Sequence, residues 1–92
     1  MDFRDDQAAI SNTTRMMGAF SGTQHTNVSA KDLARICALA LQVDPDHGLA
    51  QSFAQGAAGV RGWQWLVVQA GQLREVIALA QQALEQQAPE KK

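Results

Sequence analysis

Residues 62–87 read GWQWLVVQAGQLREVIALAQQALEQQ, and the assignment of this stretch decides the fold. Apolar side chains return at spacings of three and four through Trp63, Leu66, Ala70, Leu73, Ile77, Ala80 and Leu84. That is the period of one helix face, and it predicts a single helix over 63–87. The first part is apolar in every direction, and WQWLVV also carries strand propensity, with Gly71 as a residue able to end a strand. The phase of the stripe passes through Gly71 unbroken, which favours helix. Further along, the stripe widens to take in Val76 and Ala83, while Leu79 falls on the opposite side between Glu75 and Gln86.

Upstream, Asp44-Pro45 separates two further helical segments. Proline disfavours helical geometry in the residue before it but suits a first helical position, so Asp44 is expected to cap a helix opening at Pro45. Leu49, Ala50, Phe53, Ala54 and Ala57 form its apolar face, and Gly56, Gly59 and Gly62 argue against its running past Ala58. The preceding helix is expected from Ala30 to about Gln42. Ser29 serves as N-cap, Asp32 completes a capping box, and Val28 staples onto Leu33. Leu33, Ile36, Cys37 and Ala40 make its buried face, with Lys31 and Arg35 on the wet side.

Residues 21–27, SGTQHTN, read as a polar loop without periodicity. Residues 1–20 read as a weak helix capped by Asp2, with Phe3, Ile10 and Met17 recurring at sevens. Its middle, Ser11-Asn12-Thr13-Thr14, is poor helix material because these side chains compete for backbone hydrogen bonds. The expected organisation is one domain over 1–92: a weakly structured 1–28, a helical core over 29–88, and a frayed tail at 89–92. The fold class is all-α, a small bundle of three to four helices with a long C-terminal one. Sparse β-branched residues and the absence of tyrosine agree with this.

No internal repeat is read. The stretches 38–54 and 70–89 show a faint likeness to tetratricopeptide helices. Pro45 and Pro89, however, lie 44 residues apart, against a period of about 34 in that family. Its aromatic and glycine positions are also missing, so no family is assigned.

Composition narrows function mainly by exclusion. With 92 residues the chain buries only about 60–65% of its unfolded surface. A formal net charge of −1 offers no general attraction to nucleic acid or an anionic membrane. The acidic start MDFRDDQAAI has no apolar export core. The longest apolar run, Trp65 to Val68, is far short of the ~20 residues a membrane span needs. A lone Cys37 excludes an internal disulfide and fits a reducing, cytoplasmic setting.

His25, His47, Cys37 and Asp44 lack metal-ligand spacing, apart from the Asp44–His47 pair. Asp44 to Gly48 fails as a calcium loop, since the fifth, side-chain ligand position would be Gly48 and the bidentate acid at the twelfth would be Gln55. Cys37, in mid-helix among leucines, is expected to have a raised pKa and poor access, which disfavours a nucleophile. Gly56, Gly59 and Gly62 form no phosphate cradle. Catalysis, a metal and a cofactor are therefore not expected.

What remains is a helix with more apolar surface than a small bundle hides. The sequence predicts a non-enzymatic protein-interaction module, of the kind that serves as a chaperone, adaptor or inhibitor of a larger bacterial or phage assembly. It would bind another protein or itself, as a homodimer or hetero-complex, through Trp63, Trp65, Val68, Val76, Leu79 and Ala83 on the last helix. The alternative is a dimeric helix-turn-helix DNA-binding regulator built from residues 30–58. That helix pair brings no lysine or arginine to its second helix, where phosphate anchoring is needed.

Overall fold

The computed structural model describes residues 4–87, arranged as α1 (Arg4–Met17), β1 (His25–Ser29), α2 (Ala30–Val43), α3 (Gly48–Ala58), β2 (Trp65–Gln69) and α4 (Ala70–Gln87). Four helices dominate, but the fold is not purely α: β1 and β2 pair antiparallel, with His25 opposite Gln69, Asn27 opposite Val67 and Ser29 opposite Trp65. The Asp2 cap, Phe3 and the tail at 89–92 lie outside the described residues.

The expected helix over 63–87 is thus a strand followed by a helix that begins at Ala70. The stripe misleads for a physical reason. Alternation along β2 turns Leu66 and Val68 toward the core, and helical periodicity then turns Ala70, Leu73 and Ile77 toward the same core. The backbone changes period at Ala70 while the apolar side stays in phase. β1 lies within the stretch read as a loop and the cap that follows it. Only Thr26 and Val28 point inward there, and the outward His25, Asn27 and Ser29 are polar, so the alternation is faint.

The start of α2 forms as expected: Ser29 sits in extended backbone, and its Oγ accepts from the Asp32 N–H at 3.2 Å. The cap of α3 differs. Asp44 closes α2, its N–H bonded to Ala40 O at 3.0 Å, and its Oδ1 takes the Asp46 N–H. With Asp44 so occupied, the chain turns through Pro45 and Asp46 and starts α3 at Gly48. His47 is the cap, its Nδ1 accepting from the Ala50 N–H at 3.2 Å. That leaves the His47 proton on Nε2, which donates to Glu75 Oε2 at 2.8 Å and ties the start of α3 to α4.

α1 runs as one helix through Ser11–Thr14, because Ala9, Ile10, Thr13 and Met17 bury one face. Its acidic first turn meets Arg35 of α2, with Asp6 at 3.2 Å and Asp5 at 3.6 Å. Gly18, at φ 54°, ends it.

The two β-α units are copies. At an offset of 40 residues Gly22, Gln24, Val28, Ala30, Leu33 and Ala38-Leu39-Ala40 recur as Gly62, Gln64, Val68, Ala70, Leu73 and Ala78-Leu79-Ala80. The contacts recur with them. Ala30 N–H bonds Gln64 O and Ala70 N–H bonds Gln24 O, both at 2.8 Å. Lys31 N–H bonds Gly62 O at 3.1 Å, and Gly71 N–H bonds Gly22 O at 3.0 Å. Gln24 and Gln64 use Oε1 in the same way, accepting from the N–H of Ser21 and Arg61. A pseudo-twofold axis therefore passes between Asn27 and Val67, and an internal repeat exists where the sequence reading found none. The Pro45–Pro89 spacing was the wrong ruler for it, since Pro45 sits between the units.

The core lies between α2 and α4, where Leu33, Ile36, Cys37, Leu73 and Val76 are fully buried. Ala30, Ala40, Ala70 and Ala80 allow close approach. Among the described glycines the closest approach is at the start of α4, where a Cβ on Gly71 would lie 3.0 Å from both Cα and O of Gly22. Gly56 in α3 has nothing within 4 Å of such a Cβ.

Two outcomes follow from this packing. Gly56→Ala raises stability by about 0.5–1 kcal/mol through helix propensity, whereas Gly71→Ala lowers it by about 1–2 kcal/mol because backbone must separate from backbone. Urea unfolding of both variants checks the opposite signs. Burial also pushes the Cys37 thiol from 9.0 up to about 12. Above pH 9 the unfolded chain releases this proton and the folded chain keeps it, so stability falls as pH rises from 9 toward 12. The loss is about 1 kcal/mol by pH 10, and Cys37→Ala removes that part of the slope in paired denaturation series.

Candidate interaction surface

The sheet has two faces. Thr26 and Val28 of β1 are buried on the inner one, with Leu66 and Val68 of β2 only half-buried beside them. The outer face carries His25, Asn27 and Ser29 from β1 and Trp65, Val67 and Gln69 from β2. Trp65 is 57% exposed and Val67 64%, and Trp63, in the turn leading into β2, is 73% exposed. Met16 and Phe20, in and just after α1, are the other large apolar side chains on display among the described residues.

The two strand edges differ. α1 packs on β1 and forms one wall of a groove of about 580 Å³, lined by Asn12, Arg15, Met16, Asn27, Ser29 and Trp65 among others. α3, which occupies the matching place in the second unit, packs mainly on α2 and makes no comparable contact with β2. The bonds from Ala30 to Gln64 and from Ala70 to Gln24 set the ladder phase: Thr26, Val28, Leu66 and Val68 turn their backbone groups toward the partner strand. The backbone groups of Trp65, Val67 and Gln69 consequently point along the open side of β2. WLVVQ contains no charge and no proline, the usual guards of an edge.

The residues expected to meet a partner separate into three groups. Trp63 and Trp65 are on the surface as required. Val68 and Leu79 are half-buried against the core, while Val76 and Ala83 are within it. Among the described residues no fully exposed apolar patch gathers around Leu79, because α2 packs along the α4 stripe. Val67 and Met16 were missed. Strand geometry over 65–69 places Val67 beside Trp65, but WLVV is apolar throughout and shows no alternation by which to separate its two faces.

His25, His47, Cys37 and Asp44 do not gather, and among the described residues no three or more His, Cys, Asp or Glu side chains could hold a metal together. No described helix is long and apolar enough to cross a membrane. The site accordingly offers apolar area, strand-edge hydrogen bonding and a neighbouring polar groove, which suit recognition of a polypeptide. No family model matches this chain, and neither a curated protein nor a solved structure matches it.

Proposed function

We propose that this protein is a non-enzymatic protein-interaction module, of the chaperone, adaptor or inhibitor kind, and that it binds through the β2 face rather than through α4. One observation carries the reading: Trp63, Trp65 and Val67 stand together in water on a domain too small to leave such area idle. Tryptophan combines large apolar area with a polar N–H and is over-represented among the residues that dominate binding energy. The groove beside Trp65 adds Arg15, Lys31 and Asp32, the mixture of charges expected at the rim of an apolar contact. A helix-turn-helix role has no comparable support, since α3 contains neither lysine nor arginine.

Because both tryptophans sit on this surface, intrinsic fluorescence reads the contact directly. The double substitution Trp63→Ser, Trp65→Ser is expected to alter folding stability by no more than about 0.5 kcal/mol, as exposed positions do. It is expected to weaken partner binding by about 2 kcal/mol or more, roughly thirtyfold. Affinity capture from the source cells with wild-type and doubly substituted protein is the test. Partners retained equally by both would overturn the assignment of the surface.

A further inference from the structure

We propose that β2 pairs edge to edge with β2 of a second copy of this chain, antiparallel about a twofold axis through Val67, giving a four-stranded sheet in the order β1-β2-β2′-β1′. The proposal rests on the reading of the β2 face as an interaction surface and commits it to one occupant.

Three features support it. The first is the open edge: among the described residues no helix packs on β2 as α1 packs on β1, and WLVVQ itself carries no charge or proline to guard the outward backbone groups of Trp65, Val67 and Gln69. β1, by contrast, has α1 along it.

The second is self-complementarity. Pairing all five residues of β2 with their own copy sets Val67 opposite Val67′ in a hydrogen-bonded pair, the parity that the outward groups require. Leu66 then faces Val68′ on the inner side, twice, so the half-exposed inner residues cover one another. Trp65 faces Gln69′ at both ends, and no charge meets its like. The chain already contains one such junction, since β1 and β2 are related by a pseudo-twofold axis at Asn27 and Val67.

The third is area. At the stated exposures Trp63, Trp65 and Val67 display roughly 400 Å² between them, taking ~150–250 Å² for a whole aromatic side chain. Edge pairing covers the flanks of Trp65 and Val67, the backbone edge and the exposed parts of Leu66 and Val68, which is a fraction of the ~800 Å² per partner found in stable interfaces and fits a modest affinity.

The test is sedimentation velocity on the full chain, with circular dichroism to confirm unchanged helix content. Wild type is expected to be dimeric at about 50 µM, a concentration that detects affinities in the micromolar range. Val67→Lys places two ammonium groups on the axis and is expected to give monomers, while Asn27→Lys, one strand away on the same face, remains dimeric. Val67→Cys keeps the bulk of the strand and brings two thiols to a Cα separation of about 5.5 Å, inside the disulfide range of about 4.4–6.8 Å. Mild oxidation is expected to yield a covalent dimer from Val67→Cys and not from Asn27→Cys; Cys37 is fully buried and does not compete. A dimer that survives Val67→Lys, or equal cross-linking at 27 and 67, would overturn the pairing. A monomeric wild type whose partner capture is still lost with Trp63→Ser, Trp65→Ser overturns the dimer and leaves the interaction surface standing.

Discussion

The fold depends on an exchange of backbone hydrogen bonds at two helix starts. A helix leaves its first N–H groups without intrahelical partners, and here each long helix has them supplied by the other unit. Gln64 and Gly62 carbonyls receive Ala30 and Lys31, and Gln24 and Gly22 carbonyls receive Ala70 and Gly71. Neither unit can satisfy itself in this way, so the strand pair, the α2–α4 packing and the four caps form together. The exchange also explains why strand passes into helix without a loop: Ser29 and Gln69 are each the last strand residue and the neighbour of a capped N–H. Gly71 is constrained by the same junction, where the backbone of Gly22 approaches within contact distance and excludes a side chain.

Given that junction, the differences between the two units carry more information than the likenesses. Inward positions agree in kind: Val28 and Val68, Leu33 and Leu73, Ile36 and Val76, Cys37 and Ile77. Outward strand positions diverge. Thr23, His25 and Asn27 in the first unit correspond to Trp63, Trp65 and Val67 in the second. The helices before the strands diverge as well: α1 lies on β1, whereas the shorter α3 packs mainly on α2 and makes no comparable contact with β2 among the described residues. Apolar residues have thus collected on the unit whose edge is uncovered, the reverse of what solvation alone would favour.

Much of the helical frame was legible in the residues. Ser29 with Asp32 marked the start of α2, and the three-four spacing from Ala70 onward gave α4 and its buried face. Cys37 was readable as a core thiol because it sits in step with Leu33, Ile36 and Ala40. Of the strands, β2 was half legible, since WQWLVV has strand propensity that the helical stripe outweighed, whereas β1 has only five residues and draws its stability from a partner some 40 residues away. His47 as a cap was hidden by Asp44, a better capping residue by type that the geometry assigns to the end of α2. Of the surface, Trp63 and Trp65 were found. Val76 and Ala83 are buried instead, because α2 together with the sheet accounts for the full width of a stripe broader than one helix neighbour needs.

That relocation alters the form of the argument for a binding role. An apolar helix stripe is ambiguous, because cores and interfaces both require one. An apolar strand edge in water is less so, since it combines backbone donors and acceptors that a further strand can take up with side chains that gain nothing from solvent. The first unit avoids the problem by placing polar residues on its outer positions and α1 beside its edge. Equivalent substitutions at 63, 65 and 67 would leave the core untouched, because none of the three side chains enters it. Core packing therefore supplies no reason for Trp63, Trp65 and Val67, and this is the observation on which the proposed contact with a polypeptide rests.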